Sequence, residues 1–132
     1  MAGSCSTSRA SRRARSSGSD GHPRHPHVTV THFDEAPAFE FDLGHLRGRW
    51  TNLGGAAGSA GVGVRRIQLP AGGWSTPAHE HGREEEIFYV LAGRGVSWQG
   101  GRTVEIAAGD CVVYLPNRGA HTMHAIEPLD VL

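Results

Sequence analysis

Beyond residue 27, the apolar residues fall in short runs rich in valine, isoleucine and aromatics, separated by glycine, proline, asparagine and aspartate. Runs of this length and composition read as β-strands bounded by turns. They predict strands over 28–33, 39–41, 50–53, 62–69, 87–91, 95–99, 103–106, 111–115 and 121–126, with one helical turn over 43–47. The stretch GGAAGSAGVG, 54–63, reads as a flexible loop of small residues. Short strands at close spacing indicate an all-β antiparallel sandwich or barrel. The last residues, Pro128-Leu129-Asp130-Val131-Leu132, look like the opening of one more strand with nothing after it to close it. That reading suggests a domain lacking its C-terminal strands. A free edge there would invite a second copy, so a homodimer is expected.

The first 27 residues differ in kind. They are rich in Ser, Arg, Gly and Pro and hold almost nothing apolar beyond alanine, so burial cannot offset the entropy of ordering them. A disordered tail over 1–27 and one domain over 28–132 follow. The formal net charge of zero hides a split between the two parts. The tail has five arginines against Asp20 alone, +4, leaving eight basic and twelve acidic groups, −4, for 28–132. Scattered arginines without interleaved aromatics give no reason to expect nucleic acid as a partner. The acid-poor start resembles a transit peptide in composition, and an upstream start codon explains it equally well. No run of about 18 apolar residues exists, so no membrane span is expected. Of the two cysteines, Cys5 lies in the tail and Cys111 in a predicted strand, where it reads as a small buried hydrophobe. Neither a disulfide framework nor a cysteine-rich zinc site is indicated, which agrees with a reducing, cytoplasmic setting.

Candidate chemistry concentrates in GWSTPAHEHGREEEIFYVLAG, Gly73 to Gly93. On a strand, side chains alternate faces, so His79 and His81 point the same way and Glu80 the other. Gly82-Arg83 reads as a turn, after which 87–91 should return antiparallel beside the histidine strand. The same parity puts Glu84 and Glu86 on one face and Glu85 on the other, leaving Glu84 and Glu86 both open as a third ligand. Imidazoles with a carboxylate suit iron, manganese, nickel, copper or zinc better than calcium or magnesium. A His-x-His alone is commonly two surface histidines on an edge strand. Here a carboxylate, two flanking glycines and a distant histidine accompany it. In GDCVVYLPNRGAHTMHAI, His121 opens a predicted strand and shares a face with Met123, whereas His124 looks away and is a poor ligand candidate. Asp110 reads as fixing its own Gly-Asp turn.

These residues resemble the cupins, specifically small bacterial-type domains of the cupin 2 kind. The first cupin motif, G-x5-H-x-H-x(3,4)-E-x6-G, is met at every spacing by Gly73, His79, His81, Glu86 and Gly93. The second, G-x5-P-x-G-x2-H-x3-N, is met less closely. Gly109 and Pro116 stand one residue too far apart, the following glycine is displaced to Gly119, and Ala125 replaces the asparagine. The interval from Pro116 to His121 is kept. The resemblance covers roughly 62–132. It implies a double-stranded β-helix, or jelly-roll barrel, with one divalent ion held by His79, His81, Glu86 and His121.

Four protein ligands on a six-coordinate ion leave open positions for a small ligand or dioxygen. Cupins include both enzymes and non-catalytic modules. The resemblance therefore implies a small-molecule oxygenase or isomerase on one side, or a small-ligand-binding or structural module on the other. Thiol dioxygenases of this fold lack the motif glutamate, so Glu86 argues against that chemistry. Tyr89, Tyr114, Trp98 and Arg94 are the candidate pocket-lining residues, unplaced by parity alone.

Overall fold

A computed structural model describes residues 29–132; the tail expected over 1–27 lies outside the described residues. Nine strands follow in order: β1 (Ala38–Leu43), β2 (Leu46–Asn52), β3 (Arg65–Leu69), β4 (Glu86–Ala92), β5 (Arg94–Gln99), β6 (Arg102–Ala107), β7 (Cys111–Tyr114), β8 (His121–Ala125) and β9 (Leu129–Val131). A single-turn helix, α1 (Leu53–Ala56), follows β2, where the Asn52 side chain accepts from Gly55 N at 2.9 Å. All pairings between these strands are antiparallel, in a six-stranded sheet ordered β1-β2-β3-β9-β4-β7 and a three-stranded sheet ordered β6-β5-β8. This is the all-β jelly-roll barrel of the sequence reading.

The core follows from strand parity. On β3, Ile67 and Leu69 are buried between more exposed neighbours; on β4, Phe88 and Val90 are buried while Ile87, Tyr89 and Leu91 stay on the exposed side. Met123, Ala125, Leu129 and Val131 complete the interior. The apolar stripe of β4 is therefore core on its inner half only. Between the sheets, 72–79 runs along β8 as an irregular extra strand. Ala125 N donates to Gly73 O at 2.9 Å, Ser75 N to Met123 O at 3.0 Å and His121 N to His79 O at 2.8 Å. Pro77, which has no N–H to donate, sits where this ladder is broken.

Several expectations are corrected. Residues 29–33 form no strand; Glu35 and Ala36 N donate back to His32 O, and Val30 is 88% exposed, so their alternation has no sheet to join. Residues 43–47 are no helical turn: Leu43 pairs with Leu46 across a hairpin whose Gly44 has φ 76°. Strand β4 does not return beside the histidine segment; it lies between β7 and β9. Cys111 is exposed, on the outward parity of β7. The terminal residues form no free edge, because β9 pairs with β3 on one side and β4 on the other.

The two motif glycines have separate steric reasons. At Gly73 a Cβ would sit 2.9 Å from the carbonyl oxygens of both Arg47 and Pro70. At Gly93, between β4 and β5, φ is 84° and a Cβ would collide with the carbonyl of Pro128. Any side chain there would have to displace backbone.

Candidate metal centre

Three segments bring the four predicted residues together. Glu86 opens β4, His121 opens β8, and the linker between Trp74 and β4 carries His79 and His81. The linker is held at both ends. The backbone of His79 bridges that of His121, and a loop after β7 clasps the stretch that follows: Asn117 N donates to His81 O at 3.0 Å and Asn117 Nδ2 to Gly82 O at 2.9 Å. Asn117 adopts φ 56°, a left-handed conformation that asparagine tolerates. Glu80 points away as parity requires, and its carboxylate accepts from Gly119 N at 2.9 Å.

One potential ligand atom from each of His79, His81, Glu86 and His121 lies within 4.8 Å of all the others. Glu86 Oε2 is the hub, 2.9 Å from His121 Nε2, 3.5 Å from His81 Nε2 and 4.0 Å from His79 Nε2. Glu84 is not part of this set; its carboxylate is exposed and stands 4.0 Å from His81 Nδ1. Of the two carboxylates that parity leaves open, Glu86 is the one that joins the three histidines.

The donor chemistry fits a cation. His79 Nδ1 lies 3.0 Å from the carbonyl oxygen of Pro77, which can only accept, so Nδ1 carries the proton. In the neutral ring Nε2 is then a bare lone pair, and it faces the Glu86 carboxylate. Two acceptors facing each other are balanced by a proton donor or by a metal ion between them. His81 Nε2 is buried without a hydrogen-bond partner, which points the same way. Two imidazoles and a carboxylate at these distances, with a third imidazole behind, are a borderline-metal donor set.

His121 is the most enclosed of the four. Its side chain is 4% exposed, against 39% for His79, and Tyr114 stacks on it at 4.0 Å with the rings 8° from parallel. Burial lowers its pKa from the ordinary histidine value, with the hydrogen bond to Glu86 acting in the opposite direction. Burial likewise raises that of Tyr114, whose hydroxyl is 2.7 Å from Ser97 Oγ. His124 lies outside, its ring tilted 38° against Trp74 with centroids 4.8 Å apart.

The donors open into a cavity of about 90 Å³ inside the barrel, lined also by Ser75, Thr76, Tyr114, Thr122 and Met123. A larger cleft of about 740 Å³ adjoins it outside. Trp50, Arg65, Ile67, His81, Glu86 and Phe88 line both and form the neck between them. Of the four pocket candidates, Tyr114 lines the interior and Tyr89 the outer cleft; Trp98 lines neither, and Arg94 pairs with Glu127 at 3.4 Å. Trp50 and Arg65 were missed. The alternation Arg65-Ile67-Leu69 held the signal for Arg65, since it shares the inward parity of two core residues.

The cupin domain family model matches residues 65–132, about half of the chain and all of the motif strands. The chain belongs to the cupin family. Among curated proteins, this cupin is 47% identical over 45 residues to an oxalate-binding protein of Thermotoga maritima. That match covers 34% of this chain and 36% of the relative, so it spans about a third of that protein's length. Among solved structures, a candidate sugar phosphate isomerase from Acidithiobacillus ferrooxidans is 32% identical, with a TM-score of 0.62 over 66% of this chain and 57% of the other. A sugar phosphate isomerase of the cupin superfamily from Silicibacter pomeroyi superposes with a TM-score of 0.68 at 20% identity, covering 77% of this chain and 71% of that one. At that identity the likeness concerns the fold. No helix among the described residues is long and apolar enough to cross a membrane.

Proposed function

We propose that this cupin holds one divalent metal ion on His79, His81, Glu86 and His121 and binds a small carboxylate ligand at that ion. The observation that carries the reading is the convergence of four donors on a cavity of about 90 Å³, which leaves room for an ion and a few further atoms. A bound ion would supply a Lewis-acidic centre with positions open to oxygen ligands. The relative named for oxalate binding supports the carboxylate choice.

The protein's own residues define what else the site does. His79 is fixed in one tautomer by the Pro77 carbonyl, which keeps Nε2 available. Tyr114 and Met123 exclude water behind His121. The hydroxyls of Ser75 and Thr122 are already engaged, with Ser75 Oγ accepting from Met123 N at 3.1 Å and Thr122 Oγ1 donating to Thr76 O at 2.8 Å. Apart from the four donors, the interior cavity is lined by Arg65, which stays protonated, and by Tyr114, whose phenol is buried and hydrogen-bonded. An isomerase moving protons between two carbons needs a separate acid and base, so ligand binding is the better-supported role.

Elemental mass spectrometry on the full chain, followed by calorimetry with oxalate, tests the reading. One ion per chain and oxalate binding that disappears when the ion is chelated are expected. An ion-free protein, or oxalate affinity indifferent to the chelator, would overturn it.

A further inference from the structure

The neck of the barrel carries two recognition groups with no partner of their own. Arg65 opens β3 on the same parity as Ile67 and Leu69, so its guanidinium is directed to the barrel mouth instead of the outer sheet face. Its neighbour Arg66, on the opposite parity, is neutralised by Asp130, with Nε 2.8 Å from Oδ1. Arg65 makes no ion pair among the described residues; its guanidinium carbon lies 5.9 Å from the centre of the Trp50 ring. Trp50 is placed by pairing with Ile67, and its indole Nε1 is buried without a hydrogen-bond partner. A buried N–H left unpaired costs more than the hydrogen bond it forgoes would contribute, so its retention calls for an acceptor from outside the chain. Both residues line the interior cavity and the outer cleft.

Resting on the carboxylate-binding reading above, we infer that Arg65 and Trp50 form an anion subsite at the neck, which selects ligands carrying a second oxyanion group beyond the one at the metal centre. The guanidinium fork takes two oxygens of that group side by side. The indole N–H of Trp50 supplies a further donor, and its ring is the platform on which the fork rests. The ligand class is then a small molecule with two oxyanion groups, termed a dianion for those two groups: a dicarboxylate, or a carboxylate bearing a phosphate. The interior cavity takes one end and the outer cleft has room for the other.

The test is calorimetry on the metal-loaded full chain with acetate, malonate, succinate and phosphoglycolate, in the wild type and in Arg65→Gln, Arg65→Lys and Trp50→Phe. Metal content and thermal midpoint are measured on each protein. In the wild type at least one dianion should bind about tenfold or more tighter than acetate, the scale of a hydrogen bond to a charged group. Malonate or succinate against phosphoglycolate tells whether the second group is carboxylate or phosphate. Arg65→Gln should lower the dianion affinity to the acetate level with the ion retained and acetate binding unchanged, and Arg65→Lys should restore part of it. Binding should also perturb tryptophan fluorescence in the wild type and not in Trp50→Phe, since Trp74 and Trp98 lie elsewhere. A dianion preference that survives in Arg65→Gln, or no preference in a wild type that holds its ion and binds acetate, overturns the subsite alone. A wild type without the ion, or one that binds no carboxylate at all, overturns the carboxylate reading as well.

Discussion

The four donors stand on two unlike pieces of chain. His121 begins a strand that pairs with β5 over five consecutive residues and is buried at four of its five positions. His79 and His81 stand on a linker joined to the rest near them by one bridge at His79, the Asn117 clasp and the Glu80–Gly119 hydrogen bond, with 82–85 exposed. Glu86 falls at the boundary, where the linker becomes β4. The difference teaches how one barrel divides its work. The strand half is over-determined by packing and would keep its shape without an ion. The linker half has few buried contacts, so a bound ion would supply much of its order, as expected for a segment at the low-stability end of a fold.

That division can be broken by substitution, beginning with the largest effect. Replacing His79 and His81 together by alanine should abolish ion binding, a loss beyond the tenfold to hundredfold typical of removing a supporting residue. His124→Ala, outside the barrel, should leave the ion count unchanged by elemental mass spectrometry. Equal losses in the two variants would contradict the assignment. In the strand half, Met123→Ala removes a side chain that is 1% exposed. It should cost about 2–5 kcal/mol in chemical denaturation and keep the ion count of the wild type. Asn117→Gly keeps access to the left-handed backbone and deletes the side-chain clasp. Its expected signature is reversed: ion affinity about tenfold weaker, with only about 1 kcal/mol of stability lost.

The smallest expected effect is in pH. Burial places the folded-state pKa of His121 below 6.5, so as pH falls the unfolded chain takes up that proton first. The metal-free protein should have the full contribution of a neutral His121 above about pH 6.5. It should lose it progressively as pH drops through the lower folded-state value. Denaturation midpoints of wild type and His121→Asn, measured from pH 8 downward, check the sign: the variant should be the less pH-dependent of the two.

Much of the site was legible because strand parity is local. Residues two apart share a face wherever the backbone is extended, so His79 with His81, and Glu80 away from them, could be read without knowing any partner. Parity could not choose between Glu84 and Glu86, and only the motif spacing pointed to Glu86, since the choice depends on where β4 begins, and β4 begins where pairing with Tyr114 on β7 begins. Pairing was also what misled the expected return of 87–91 beside the histidine segment. Register between distant strands is set by packing in three dimensions, and Pro77 breaks the ladder that the alternation imitates. Residues 29–33 failed for the converse reason, an alternating pattern with no strand to meet. Trp50 and Arg65 belong to one neck because β2 and β3 pair with Trp50 opposite Ile67, a register that no motif records.

The place of β9 has a consequence for synthesis. Because Leu129–Val131 lies between β3 and β4, those two strands have no direct pairing, and the large sheet exists as two separate halves until β9 arrives. A ribosome making this chain releases β3 and β4 long before β9. In that interval each exposes an unpaired edge beside apolar side chains, Ile67 and Leu69 on one and Phe88 and Val90 on the other, the condition under which nascent chains pair with the wrong partner. Non-local closure of this kind slows folding. The charge of Arg66 at the waiting edge discourages such pairing, and Asp130 meets it only when the sheet is joined.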